Sequence, residues 1–272
     1  MALRLGYFLL VVLILNTTQV VHAKTIVFIH GYMAEGSIWS RSGVLDHLAR
    51  NNWPFAGRYG YDAQGRVVYD VREQGRDATV TVELPWEQSI EFQASLLDKY
   101  LSEIYKHRPQ PIVLVGHSAG GVVARFSLVK NPVSSVHALI TIATPHLGTP
   151  MADLGALASD SPLGIFLQEL GDPTLVRSRG LFRDLQPARR GSMLYWLNRQ
   201  KHPAIPYFSI IRSNEVVDIT RYDQADLVVP PAYQDMNNVQ ALRGKSVSIA
   251  SDGGHALSVY DAIRIQKILK QL

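Results

Sequence analysis

Apolar positions along the chain follow two rhythms. Short runs rich in β-branched residues recur at 24–29, 112–115, 135–142, 206–212 and 246–250, and 79–84 alternates before Pro85. Such runs are the pattern of strands in a sheet, those without a polar interruption being buried on both faces. Between them, apolar residues repeat at helical spacing over 44–51, 87–107 (Ile90, Leu97, Leu101, Ile104), 122–129 and 257–272. Strands alternating with helices predict an α/β fold, a mainly parallel central sheet with helices on both faces. Two stretches depart from this rhythm. Residues 55–77 are richer in glycine and charge, with Tyr61-Asp62-Ala63-Gln64-Gly65-Arg66 turning a small hairpin, and read as an insertion. Over 151–205 the strand signals stop and apolar clusters at 163–170 and 193–197 remain, so this part is expected to form a helical cap, either a lid that opens or a fixed packing element.

Composition narrows the class of protein. With 272 residues, 47% of them hydrophobic, the chain can bury a large core. The formal charge of +4 comes from 27 basic and 23 acidic residues interspersed without a polybasic block, which argues against nucleic acid as a partner. The absence of cysteine removes disulfides, thiolate zinc sites and cysteine nucleophiles together.

Residues 1–23 are read apart from the rest. Arg4 precedes an apolar run over 5–15, and Val21-His22-Ala23 resembles a signal-peptidase site. The expectation is export with a catalytic domain over 24–272, an uncleaved amino-terminal anchor being the alternative.

The chemistry centres on Gly116-His117-Ser118-Ala119-Gly120, which joins the 112–115 strand to the 122–129 helix. A serine on a sharp strand-to-helix turn projects its hydroxyl from the sheet edge. That hydroxyl is a poor nucleophile at neutral pH and needs a histidine to take its proton and a carboxylate to fix the histidine's tautomer. Among nine histidines, His255 in Ser251-Asp252-Gly253-Gly254-His255 follows the last strand and so reaches the same sheet edge. His117 is expected to point off the turn, and His107, His137 and His202 to lie at the surface or in packing. For the acid, Asp226 ahead of Leu227-Val228-Val229-Pro230 is preferred, since the apolar residues after it would anchor the loop. Asp218 is the runner-up, and Asp223 and Asp235 read as turn residues. The oxyanion needs two backbone N–H donors, each worth about 3 kcal/mol to the transition state. Ala119 supplies one by position, and Tyr32 the other if Gly31 permits the bend that aims its N–H inward.

In chain order, Phe28-Ile29-His30-Gly31-Tyr32, Gly116-His117-Ser118-Ala119-Gly120-Gly121, Thr144-Pro145-His146-Leu147-Gly148-Thr149-Pro150, Asp226 before Val-Val-Pro, and Gly254-His255 resemble the α/β-hydrolase lipases, both bacterial triacylglycerol lipases and GPI inositol-deacylase-like esterases. The resemblance implies an α/β-hydrolase fold, Ser118 as nucleophile, His255 as base, Asp226 as orienting acid, and the amides of Tyr32 and Ala119 as oxyanion hole. It implies hydrolysis of lipid or medium-chain acyl esters with no cofactor; no metal is expected, although some bacterial lipases carry a structural calcium near the acid residue, for which Asp223 and Asp235 would be the candidates here. A small-molecule or lipid ester is the expected partner, with transient contact between the cap and a lipid interface. Thioesterase or acyltransferase chemistry on the same triad, or a lipid-binding relative without catalysis, are the rival readings.

Overall fold

A computed structural model describes residues 24–72, 76–153, 174–212, 226 and 228–272. The leader at 1–23, the apolar cluster at 163–170, Asp218 and Asp223 lie outside the described residues. Among the described residues no helix is long and apolar enough to cross a membrane.

Eight strands form one sheet: β1 (Thr25–Ile29), β2 (Phe55–Tyr61), β3 (Val67–Val71), β4 (Ala78–Val82), β5 (Ile112–His117), β6 (Val136–Ile142), β7 (Tyr207–Arg212) and β8 (Ser246–Ser251). Their spatial order is β3-β2-β4-β1-β5-β6-β7-β8, parallel throughout except for the antiparallel pair β2 and β3. The chain thus lays β2 and β3 at one side of β1, returns to place β4 between them and β1, and then crosses to β5 on the other side. The loops after β1 and β5 leave the sheet at this reversal, where open parallel sheets hold their ligands.

Every residue of β1, β4 and β5 is buried, which explains the apolar runs of β1 and β5; in β4 the alternating threonines are buried too. The pleat sends Val27 and Ile29 into one core layer with helices α3 (Ile90–His107) and α4 (Ala119–Lys130). Ile26 and Phe28 enter the other layer with Trp39 of the short helix α1 (Ile38–Arg41), helix α2 (Val44–Arg50) and the carboxy-terminal helix Val259–Leu269. Each fully buried side chain of this kind contributes about 1.5–3 kcal/mol. Helix α3 begins where the Ser89 side chain accepts from the Phe92 N–H.

The 55–77 stretch is not an insertion beside the sheet. Its hairpin is β2 and β3, and β2 pairs in parallel with β4, so the stretch forms one end of the sheet itself. Its strand character is obscured because the register slips between Phe55 and Gly57, and because β3 at the sheet edge is largely exposed and needs no apolar face. The stretch at 174–205 carries the short helices Thr174–Arg177, Arg179–Asp184 and Met193–Leu197, and no strand among its residues.

Candidate active site

Ser118 occupies the junction between β5 and α4 with φ 52° and ψ −129°. A non-glycine residue in that region costs roughly 1–3 kcal/mol and persists only when its surroundings dictate it. Here they do. The Ser118 N–H donates to the Ile142 carbonyl on β6 at 2.9 Å, and its own carbonyl accepts from the Gly121 N–H at 3.1 Å. Gly116 lets strand and helix close on each other, because a Cβ there would sit 2.5 Å from the Gly121 Cα.

The His255 Nε2 lies 2.9 Å from the Ser118 Oγ, and its Nδ1 lies 2.9 Å from the Asp226 Oδ2. The carboxylate can only accept, so the proton sits on Nδ1 and leaves Nε2 free to accept from the hydroxyl. Ser118, His255 and Asp226 are therefore brought together although Ser118 and His255 stand 137 positions apart. Asp226 is held by more than the apolar residues that follow it. Its Oδ1 accepts from the N–H groups of Val228 and Val229, each at 2.9 Å, and its Oδ2 also accepts from the Gln234 side chain at 3.0 Å. The side chain of Asp226 is fully buried while that of His255 is 22% exposed, so the carboxylate is sealed from solvent and the imidazole is partly open to it. Asp235 instead accepts from the Asn237 N–H and the Ser248 hydroxyl, as a turn residue does.

Tyr32 and Ala119 line the same cavity as Ser118, a space of about 500 Å³. Ala119 is the first residue of α4, where an N–H has no intrahelical acceptor, and neither amide donates to an acceptor among the described residues. Gly31 serves a different purpose from the one expected of it. The left-handed residue in this loop is Met33, with φ 53°. At Gly31 a Cβ would stand 2.8 Å from the Ser118 Cβ, so the glycine provides clearance for the nucleophile rather than a bend. The Tyr32 ring is set edge-on against Trp86 at 5.2 Å and against Phe182 at 5.4 Å, which fixes the direction of its backbone. His30 braces the loop from beneath: its Nε2 accepts from the Leu84 N–H at 3.0 Å and its Nδ1–H donates to the Gly31 carbonyl at 3.0 Å. Burial lowers its pKa and keeps it neutral, as an acceptor must be.

The cavity wall is apolar. Leu181, Phe182 and Leu185 come from helix Arg179–Asp184 and the residue after it, and face Val228, Val229 and Met151. Asp184 ties this wall to α3 by accepting from the Ile90 N–H at 2.8 Å; its burial first, and Glu91 after it, push its carboxyl up to about 6 against the opposing pull of that bond. Among the described residues no group of three histidines or carboxylates could hold a metal.

Several residues that matter here carry no signal in the sequence. Gln234 joins Asp226 to β7, since its Oε1 accepts from the Arg212 N–H at 2.8 Å. Arg125, fully buried on α4, has three neutral acceptors: the His146 Nδ1 at 2.9 Å, the Asn198 Oδ1 at 2.6 Å and the His202 Nε2 at 3.3 Å. Burial brings its guanidinium down to about 9, still above neutrality, and brings His202 down to about 4, which leaves that ring free to accept. His202 is thus a partner of this network and not a surface residue. The network anchors the 144–150 loop, and the Thr149 hydroxyl at the far end of that loop donates to the Val228 carbonyl beside Asp226.

Comparison with known proteins agrees with this fold. A family model described as alpha/beta hydrolase family matches residues 26–262. The GPI inositol-deacylase of Cryptococcus neoformans var. neoformans is 37% identical over 57 residues, 21% of this chain and 7% of that protein, so the chain spans a small part of that relative's length. The lipase BlEst2 of Bacillus licheniformis in its mature form superposes with a TM-score of 0.59 at 17% identity, covering 91% of this chain and 92% of that one. A lipase-esterase related protein from Clostridium acetobutylicum does so with a TM-score of 0.54 at 15% identity, covering 92% and 94%. At these identities the two structures are similar in fold.

Proposed function

Because the chain belongs to the alpha/beta hydrolase family, we propose that it is a serine carboxylic-ester hydrolase acting on lipid or medium-chain acyl esters. One observation carries the reading: the unbroken relay from Ser118 Oγ through His255 to Asp226, each link 2.9 Å, opening into an apolar cavity beside two unengaged amides. A 500 Å³ apolar space suits an acyl chain and leaves a charged or strongly polar acyl group unsolvated. The name of the deacylase relative favours acyl esters as well.

In the reaction the His255 Nε2 takes the Ser118 proton as Oγ attacks the ester carbonyl. The negative oxygen that forms is met by the N–H groups of Tyr32 and Ala119. His255, now an imidazolium beside Asp226, gives its proton to the departing alcohol and leaves an acyl group on Ser118. A water molecule deprotonated by the same ring then attacks, and the carboxylic acid departs as Ser118 regains its proton. Asp226 stays a hydrogen-bond acceptor throughout. The short helices over 174–205 act as a cap over the acyl group, and the leader points to work outside the cytoplasm.

Labelling with a fluorophosphonate tests the reading, since the reagent adds only to an activated serine. The expected result is one adduct on Ser118, absent in Ser118→Ala, with ester hydrolysis lower by on the order of 10⁴- to 10⁶-fold. A folded wild-type protein that takes no label and cleaves no nitrophenyl ester of any chain length overturns it.

A further inference from the structure

His117 precedes Ser118, and the sequence expects it to point off the turn. Its ring is buried in the core layer beneath the site, edge-on to Trp39 at 6.5 Å and tilted at 45° against the His255 ring at 5.2 Å. Its Nε2 lies 2.8 Å from the main-chain oxygen of His255. A carbonyl oxygen only accepts, so Nε2 carries the proton.

The loop that presents the base has little else to fix it. Among the described residues, 252–257 make no backbone–backbone hydrogen bond. Their carbonyls are met instead by side chains: His117 on His255, the Arg212 guanidinium on Ala256 at 3.1 Å and the Ser251 hydroxyl on Asp252 at 3.3 Å. Of these, the His117 contact falls on the base residue itself.

We propose that His117 is a positioning residue, whose ring N–H holds the His255 backbone so that the imidazole keeps its reach to Ser118. The inference rests on the reading of Ser118 and His255 as nucleophile and base. A neutral donor suits this place. The charged groups around the ring are His255, Arg212 and Asp261; burial first, and then His255, push the His117 pKa down to about 3. The ring therefore stays uncharged while its neighbour becomes a cation during the reaction, and it adds no repulsion to that step.

Two substitutions and one spectrum test this. His117→Phe keeps a flat ring and removes the donor, and His117→Gln keeps an N–H donor. The expected outcome is a kcat lower by on the order of 10- to 100-fold in the Phe variant with KM within about twofold, and recovery of most of that loss in the Gln variant. Equal losses in both variants, or a Phe variant with full kcat, overturn the proposal. Nitrogen NMR of the wild-type ring needs neither variant to fold: the expected spectrum has the proton on Nε2 and no titration between about pH 5 and 8. A proton on Nδ1 overturns the tether. Fluorophosphonate labelling of the wild type reports separately on Ser118, so failure of the ester-hydrolase reading is distinguishable from failure of the tether.

Discussion

The two halves of the site are built from different materials. The Ser118 turn is set by main chain: a strained residue anchored through its N–H to β6, and glycines where two backbones nearly touch. Asp226 and His255, the proposed acid and base, sit on loops after later strands; beside the two N–H groups that local main chain gives Asp226, each is reached by a side chain from elsewhere, Gln234 to Asp226 and His117 to His255. Main-chain construction tolerates little change at any one position, because a new Cβ has nowhere to go. Side-chain construction spreads the task, so the removal of one brace loosens a loop without abolishing it.

Asp226→Asn strikes the second half at its centre. It favours the wrong tautomer of His255, and kcat should fall by about 10⁴-fold while the fold survives, as read by steady-state kinetics beside circular dichroism. Gly31→Ala tests the first half. A Cβ 2.8 Å from the Ser118 Cβ displaces the loop that carries the Tyr32 amide, and loss of that donor should lower kcat by about 10²-fold, with weaker binding of a boronic-acid transition-state analogue. Gln234→Leu removes one of the four donors to Asp226 and the acceptor of the Arg212 N–H. About a 10-fold fall in kcat and about 1–3 kcal/mol of stability lost in urea denaturation are expected. If Gln234→Leu proved as damaging as Gly31→Ala, the distinction between the two halves would fail.

The smallest effect concerns the cavity wall. Asp184 has its folded-state pKa raised from 3.8 to about 6, so the folded protein binds more protons than the unfolded chain between those values. Stability from this group is therefore lost as pH rises through that window. Asp184→Asn keeps an acceptor for the Ile90 N–H and should flatten the decline by on the order of 1 kcal/mol, seen as a urea midpoint that no longer falls between about pH 4 and 6.

The same division explains what the sequence made legible. The buried strands and the Gly-x-Ser-x-Gly turn are local patterns, and the proximity of His255 to Ser118 follows from the rule that loops after parallel strands share one sheet edge. The β2 strand was hidden because its pairing with β4 depends on a distant partner and its register slips at Gly57. Gln234, His117 and Arg125 could not be singled out, since a glutamine, histidine or arginine looks the same in sequence whether it faces solvent or braces a loop across the fold. The 144–150 loop shows the intermediate case. Its two prolines and His146 are conspicuous, yet its task becomes visible only with Arg125 at one end and Val228 at the other.

The order of assembly carries a further consequence. Ser118 follows the fifth strand, and His255 follows the eighth, at the far margin of the sheet. On the proposed reading, a chain cut before β8 keeps Ser118 but lacks the histidine that activates it, so the activity arrives only with the final thirty or so residues. Fragments that end before β8 are expected to be silent.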